Sequence, residues 1–240
     1  MKINEQHVRT AAVIGADACE MLKNAKVAVF GVGGVGGLIV EALARAGIGY
    51  IDVYDGDSVS ESNLNRQIIA LHSNIGKSKV DVIKDRILDI NPECKVNAYS
   101  IFYLPENADE HPLDGYDYIA DAVDTVAAKI ELAVRADDLG IPIIAAMGAG
   151  NKLDPTKFVV SDIYKTQVCP LAKAVRRELK LRGVKRLKCV YSTEPSVKTE
   201  NGIVGSMPFV PGVMGYIMAG EIIKDLLRTI INQTEKEKKV

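Results

Sequence analysis

Residues 26–36 read Lys-Val-Ala-Val-Phe-Gly-Val-Gly-Gly-Val-Gly, a short apolar run that passes directly into a cluster of glycines. The run is rich in valine, which favours a buried β-strand. Gly31, Gly33 and Gly36 fit the spacing G-x-G-x-x-G, and a helix is predicted over residues 34–46. In this order of strand, glycine turn and helix, the backbone can approach phosphate oxygens at the N-terminus of the helix. The stretch therefore predicts a nucleotide site.

A second predicted strand, residues 50–55, completes a βαβ unit, the opening of a doubly wound parallel sheet. Its last residue, Asp55, lies about 20 residues beyond the final glycine, where an acidic residue accepts hydrogen bonds from ribose hydroxyls. The alternative is that the glycines form only a tight turn. The complete set of strand, glycines, helix and acid argues against that alternative. The candidate nucleotide-binding residues of this unit are Gly31, Gly33, Gly34, Gly36 and Asp55.

The rest of the chain extends the same pattern. Strands are predicted near 96–99, 116–124, 142–147, 157–164 and 188–192, and helices near 8–24, 77–91, 126–139, 171–181 and 213–231. We therefore expect an α/β fold with a Rossmann-like, doubly wound, mainly parallel sheet and a C-terminal extension. The whole chain is expected to form one domain. Its predicted parts are a helical lead-in (1–24), a nucleotide-binding core (25–150), an extension (151–232) and a polar tail (233–240).

Composition limits the class of protein. With 240 residues, 48% of them hydrophobic, the chain can bury a sizeable core. Its formal net charge of −1 argues against a wholly basic nucleic-acid coat. The four cysteines form no CxxC pair, so no zinc site is expected and the thiols are expected to be reduced. No signal peptide or membrane span is recognisable, so the expected location is cytoplasmic.

Residues suited to phosphate chemistry follow the second strand. Asp57, Asn63, Arg66 and Lys79 lie within one stretch, and Asp124 ends a later predicted strand. A site that breaks a phosphoanhydride needs fixed cations to offset charge on the phosphoryl oxygens, whereas a hydride-transfer site does not. Asp124 could hold Mg²⁺ through its carboxylate. Taken singly, each residue has an alternative interpretation: Arg66 and Lys79 are also typical of solvated charges on a helix, and Asp124 of a helix cap.

Taken together, these segments resemble the E1-like superfamily of ubiquitin-activating enzymes and of adenylyltransferases in molybdopterin and thiamine biosynthesis. The segments GVGGVG, DGDSV, SNLNRQ, GKSK and DAVD occur in the family's order over about residues 20–150. The resemblance implies ATP and Mg²⁺ as cofactors. Arg9 resembles the arginine that a dimer partner inserts into the active site of this family, which implies a homodimer. The residues to which the resemblance assigns nucleotide binding or catalysis are Arg9, Asp55, Asp57, Asn63, Arg66, Lys79 and Asp124.

The second half of the chain resembles one branch of that superfamily, the tRNA threonylcarbamoyladenosine dehydratases. The matching segments are 148–156, 161–166, 169–177 and 189–194. The resemblance implies ATP-dependent cyclisation of N6-threonylcarbamoyladenosine (t6A) in tRNA, through an acyl-adenylate of the threonyl carboxylate. It also implies that the C-terminal extension completes the substrate site and the dimer. Gly37 and Cys169 depart from the family, which often has Ser and Asp there, and a sulfur-relay partner is not identified.

Positive charge is concentrated between residues 165 and 188, where Glu178 is the single acid. Such a run in a chain of nearly neutral net charge suits a polyanion, and a solvated helix face is the alternative. The predicted tRNA-binding residues are Lys173, Arg176, Arg177, Lys180, Arg182, Lys185 and Arg186.

Two other functions remain open from the sequence. One is an adenylyltransferase that activates the C-terminus of a ubiquitin-like sulfur-carrier protein, and the missing CxxC pairs disfavour it. The other is an NAD-binding module or dehydrogenase. The cationic residues after Asp55 disfavour that function, as do three histidines that lie in no recognisable catalytic motif.

Overall fold

The computed structural model describes residues 4–199 and 202–237, which fold around one seven-stranded sheet. The strands are β1 (Lys26–Phe30), β2 (Tyr50–Tyr54), β3 (Lys95–Tyr99), β4 (Tyr118–Asp121), β5 (Ile143–Ala146), β6 (Phe158–Asp162) and β7 (Lys188–Ser192). The helices are α1 (Val8–Ile14), α2 (Ala16–Asn24), α3 (Gly36–Ala46), α4 (Lys79–Ile90), α5 (Val126–Leu139), α6 (Pro170–Leu181) and α7 (Phe209–Glu237).

The strands lie in the order β3-β2-β1-β4-β5-β7-β6. Neighbouring strands are parallel except at the edge, where β6 runs antiparallel to β7. The direction in which the chain builds the sheet reverses between β1 and β4. The loops that follow these two strands diverge, and they leave a crevice at the carboxyl ends of the strands. The predicted α/β fold with a doubly wound, mainly parallel sheet is confirmed.

Both faces of the central strands are covered. Val27 and Val29 of β1 belong to the core cluster that contains α3 and α7, while Ala28 and Phe30 pack into the cluster on the α5 side. Helix α7 lies very close to the start of α3, because a Cβ at Gly215 would lie 2.5 Å from the carbonyl oxygen of Val35. That approach requires glycine, and it places the start of the last helix beside the glycine turn.

The helix boundaries differ from the predicted ones at the two ends of the chain. The lead-in is two helices rather than one, because Gly15 adopts φ +89° between α1 and α2. The last helix begins at Phe209, four residues before the predicted start, and includes Pro211 in its first turn, where proline is tolerated. Within the described residues, no helix is both long and apolar enough to span a bilayer.

Candidate active site

A cavity of about 520 Å³ occupies the crevice at the carboxyl ends of β1, β2 and β4. Its size is typical of small-molecule sites. The glycine turn, the end of β2, the start of α4 and the loop after β4 form its walls. A slightly larger cavity of about 570 Å³ opens on the other side of the sheet, at the amino ends of β4, β5 and β7. The first cavity is the candidate active site, because it combines the glycine turn with the topological switch point.

The glycines of the turn divide into two kinds. A Cβ at Gly31, which has φ +83°, would lie 2.7 Å from the carbonyl oxygen of Ala122, and one at Gly36 would lie 1.8 Å from the carbonyl oxygen of Gly31. These two glycines are needed for the turn and for packing. Gly33 and Gly34 line the cavity, and a Cβ at Gly33 would meet nothing closer than 3.6 Å. The backbone at Gly33 is therefore open to a ligand at the N-terminus of α3.

Asp55 connects the end of β2 to the glycine turn. One carboxylate oxygen accepts a hydrogen bond from the backbone N–H of Val32 at 2.8 Å, and the other accepts from Asp57 at 2.9 Å. Asp55 also lines the cavity, as its predicted contact with ribose requires. Its carboxylate thus has a fixed orientation before any nucleotide binds.

Lys79 is the first residue of α4 and lines the cavity although its side chain is only 6% exposed. Its ammonium lies 2.6 Å from the Asp57 carboxylate and 3.9 Å from that of Asp55. Asp57 itself is half-exposed and does not belong to the cavity wall. Asp57 therefore holds Lys79 through an ion pair and does not itself line the cavity.

The SNLNRQ segment forms the next part of the wall. Arg66 lines the cavity and donates to the carbonyl oxygen of Ser62 at 2.8 Å. Asn63 is buried outside the wall, where its side chain accepts a hydrogen bond from the backbone N–H of Ser60. Gln67, which the sequence analysis did not assign, lines the cavity while buried. Its Oε1 has no hydrogen-bond partner among the described residues.

Asp124 lies in the loop after β4, where it is exposed and lines the cavity. Its carboxylate accepts a long hydrogen bond of 3.4 Å from the Thr125 hydroxyl. No group of three or more His, Cys, Asp or Glu side chains within residues 4–199 and 202–237 could hold a metal by itself. Mg²⁺ commonly needs only one or two carboxylates when substrate phosphates supply the other ligands, so a single Asp124 fits a metal bound together with a nucleotide.

Aromatic side chains form part of the cavity wall. Phe30 and Tyr54 stack at 4.4 Å and both face it, and Tyr103 packs edge-on against Phe30. Phe102 also lines the cavity and remains more than half exposed. Arg9 lies on α1, exposed and outside the cavity wall of its own chain.

Comparisons with known proteins agree with this geometry. Residues 5–239 match the model of the ThiF family. The tRNA threonylcarbamoyladenosine dehydratase of Bacillus subtilis (strain 168) is 43% identical, over 97% of this chain and 99% of its own length. The crystal structure of the E. coli tRNA N6-threonylcarbamoyladenosine dehydratase in complex with ATP is 35% identical. It has a TM-score of 0.90 and matches over 97% of this chain and 100% of that one.

The chain belongs to the ThiF family and, within it, to the tRNA threonylcarbamoyladenosine dehydratases. The predicted family and the predicted ATP-dependent activity are both confirmed by these matches. The adenylyltransferase and sulfurtransferase uba4 of Aspergillus niger is a more distant relative, 33% identical over 85% of this chain and 40% of its own length.

In this dehydratase, the basic segment forms α6 and the turn that follows it. Lys173, Arg177 and Lys180 are exposed and lie on one helix face at spacings of four and three residues. Arg182, Lys185 and Arg186 are exposed just beyond the helix.

Arg176, which was also predicted to bind tRNA, has local partners. It is half-buried and donates to the hydroxyl and the carbonyl oxygen of Thr166 at 2.7 and 2.9 Å. These hydrogen bonds anchor the turn that precedes α6. Arg176 is therefore less available to a ligand than its exposed neighbours.

Proposed function

We propose that the cavity binds ATP and uses it to activate the threonyl carboxylate of t6A in tRNA. The observation that carries the proposal is the convergence of Gly33, Asp55, Lys79, Arg66 and Asp124 on one cavity at the switch point of the sheet. The E. coli dehydratase whose structure was solved with ATP has also been solved with AMP, again at a TM-score of 0.90.

The geometry suits adenylyl transfer. The t6A carboxylate attacks the α-phosphorus of ATP, an acyl-adenylate forms and pyrophosphate leaves. Lys79 and Arg66 lie on the cavity wall, where positive charge offsets the charge that develops on the phosphoryl oxygens. The backbone N–H groups at the start of α3 bind phosphate oxygens. Because Asp55 and Asp57 hold the Lys79 ammonium in place, it needs little reorganisation during the reaction.

Mg²⁺ belongs to the same proposal. Asp124 would hold it together with phosphate oxygens, and the metal would supply charge stabilisation to the leaving pyrophosphate. Gln67 is a further candidate contact, because its carboxamide lies beside Gly33 and its oxygen lacks a partner among the described residues.

The second step closes the ring. The carbamoyl group of the same t6A side chain attacks the activated carbonyl, AMP leaves and cyclic t6A forms, with one water removed overall. This step is intramolecular and gains from proximity. It needs no thiol nucleophile, and no cysteine is among the described residues that line the cavity. Cys169 and Cys189 are buried, and burial raises the pKa of Cys189 to about 12, so its thiolate is scarcely populated near neutral pH.

The tRNA is proposed to dock on the exposed basic face of α6. Helix α6 packs against α5, and the first turn of α5 lines the cavity through Ala128. The N-terminal end of α6 also approaches the loop after β5, since a Cβ at Gly148 would lie 3.6 Å from the Cys169 sulfur. A tRNA backbone bound along α6 would therefore approach the cavity at the N-terminal end of this helix. A homodimer in the cytoplasm, with Arg9 donated across the dimer, completes the proposal.

Nucleoside analysis of tRNA after incubation with the protein, ATP and Mg²⁺ tests this function. We expect t6A to be replaced by a nucleoside lighter by one water, with one pyrophosphate released per conversion. tRNA that lacks t6A is the matched control and should release none. If a ubiquitin-like sulfur carrier triggers pyrophosphate release and t6A-tRNA does not, the adenylyltransferase function replaces this one.

A further inference from the structure

Two oppositely charged side chains are fully buried next to residues that line the cavity. Asp121 is the last residue of β4 and Lys129 is the fourth residue of α5, and both side chains are 0% exposed. The Lys129 ammonium lies 3.0 and 3.1 Å from the two Asp121 carboxylate oxygens. Burial raises the pKa of Asp121, and the adjacent ammonium opposes that rise.

A buried ion pair often contributes little to the net stability of a fold. The cost of removing both charges from water often equals or exceeds their attraction, and a well-packed apolar pair is frequently as stable. Apolar residues of the core lie on the same helix and on the neighbouring strand, among them Leu132 and Ala133 on α5 and Ala145 on β5. The location of the pair therefore calls for a role other than stability.

The pair spans the segment that forms one wall of the cavity. Ala122, Val123, Asp124 and Thr125 line the cavity, and all lie between Asp121 and Lys129 in sequence. The pair thus joins the residue just before this wall to a residue shortly after it, across the turn from strand to helix.

Further bonds fix the same segment. An Asp121 oxygen also accepts a hydrogen bond from the backbone N–H of Val123 at 3.2 Å. The backbone N–H of Ala122 donates to the carbonyl oxygen of Phe30 at 2.8 Å, which ties the loop to the end of β1. The carbonyl oxygen of Ala122 packs against Gly31 of the glycine turn. A shift of this loop would therefore move Asp124 relative to the phosphate-binding backbone.

We propose that the Asp121–Lys129 pair positions the loop 122–125, and through it Asp124, against the glycine turn. Neither residue lines the cavity, so both act as positioning residues rather than catalytic ones. The proposal rests on the function proposed above for Asp124. The pair holds the loop in one position, because two charge-assisted hydrogen bonds constrain it more tightly than apolar contacts can.

Replacing the pair in two ways separates positioning from stability. The apolar variant Asp121→Val/Lys129→Met fills the space without leaving a buried charge, so we expect it to fold. The neutral variant Asp121→Asn/Lys129→Gln keeps hydrogen-bonding groups at both positions. Because misplacing a reacting group by about 1 Å can cost on the order of 10²-fold in rate, we expect the apolar variant to show a kcat for pyrophosphate release that is about 10- to 100-fold lower.

Three further readouts identify a positioning effect. ATP binding measured by calorimetry should change less than about threefold in the apolar variant, because the glycine turn and Asp55 are intact. The Mg²⁺ concentration that gives half-maximal turnover should rise, since Asp124 is displaced. The neutral variant should recover most of the missing kcat. If the apolar variant does not fold, a wild-type kcat and Mg²⁺ dependence in Asp121→Asn alone would overturn the proposal, and a reduced kcat with rescue by Lys129→Gln would support it.

Arg86→Met serves as the control for general destabilisation. It breaks an ion pair with Glu41, at 2.5 Å, that joins α3 to α4 away from the cavity wall. An equal fall in kcat in Arg86→Met, or wild-type kcat and Mg²⁺ dependence in the apolar variant, would show that the pair has no positioning role. Failure of the wild-type protein to convert t6A-tRNA would instead overturn the proposed function itself.

Discussion

At the scale of single residues, Lys79 and Asp124 are the side chains on which the proposed chemistry depends most. Both line the cavity, one as a buried cation and the other as an exposed carboxylate. Removing one preorganised charged group from such a site typically lowers the rate by about 10²–10³-fold. We expect Lys79→Ala and Asp124→Ala to lower pyrophosphate release by that factor, measured with t6A-tRNA at saturating ATP.

The matched controls for these variants are nearby residues of the same type. Lys77→Ala removes an exposed lysine two residues from Lys79, and Asp138→Ala removes an exposed carboxylate at the far end of α5. Both should keep near wild-type turnover, because neither lines the cavity. If Lys79→Ala or Asp124→Ala behaves like its control, that residue does not have the proposed role.

The sequence analysis identified residues that lie in recognisable segments and missed those whose role depends on burial. Asp55, Lys79 and Asp124 stand in recognisable segments, and the structure brings all three to the cavity. The Asp121–Lys129 pair was missed, because an ion pair eight residues apart becomes visible only when burial is known. Asp57 and Asn63 were predicted to bind the nucleotide, but they lie outside the cavity wall and bond to Lys79 and Ser60 instead. Sequence spacing alone does not show which polar side chains are already bonded to other residues of the chain.

At the scale of secondary-structure elements, one buried carboxylate joins α3 to α4. Glu41 is 4% exposed and accepts from Arg45 at 2.7 Å and from Arg86 at 2.5 Å. Burial opposes ionisation of Glu41, but the two arginines outweigh it and hold the pKa of this carboxyl below its usual range. Arg86 lies about two turns beyond Lys79 on α4, so this ion pair joins the two helices away from the cavity wall.

The lowered pKa of Glu41 has a predictable consequence for stability. The stabilisation is present above the unfolded pKa of about 4.3 and disappears as pH falls through the lower folded pKa. Glu41→Gln should lower the free energy of unfolding by about 1–2 kcal/mol at pH 7, because it removes hydrogen bonds to a charged group. The difference from wild type should shrink below about pH 4 in urea titrations. Glu93→Gln, at a solvated ion pair with Lys23, is the control and should change the midpoint little.

Element boundaries were predictable where local chemistry alone decides them. Strand β7 begins and ends where predicted, because its apolar run lies between a basic segment and a polar loop. The predicted start of α7 leaves Pro211 outside the helix, whereas proline fits the first turn of a helix. The break at Gly15 was missed because a positive φ at a glycine is set by packing and leaves no mark in the apolar periodicity.

At the scale of the whole molecule, the proposed active site is incomplete in one chain if Arg9 acts in the partner's site. Arg9 is exposed on α1 between two exposed valines, Val8 and Val13, which are 52% and 84% exposed. In mixtures of Arg9→Ala and Lys79→Ala proteins, each mixed dimer would then contain one intact site. We expect about a quarter of wild-type turnover, because random exchange makes half of the dimers mixed and one of their two sites complete.

A mixture of Lys79→Ala and Asp124→Ala is the control for that experiment. Both residues line the same cavity of one chain, so every site in a mixed dimer lacks one of them and no recovery is expected. Absence of recovery in the Arg9 mixture, with subunit exchange demonstrated by mass, would place Arg9 outside the partner's site. Recovery in both mixtures would show that the assay does not report shared sites.

The charge distribution of the whole molecule gives the last prediction. Lys173, Arg177 and Lys180 form one exposed face of α6, so replacing all three with alanine should weaken tRNA binding while ATP binding stays unchanged. For every lysine or arginine that no longer neutralises a tRNA phosphate, the slope of log K against log salt should fall in magnitude by about 0.7–0.9. The control removes an equal charge elsewhere, at Lys23, Lys77 and Lys95, and should leave that slope unchanged. Equal salt slopes for both triple variants, measured by filter binding, would mean that this face is only solvated and that tRNA docks elsewhere.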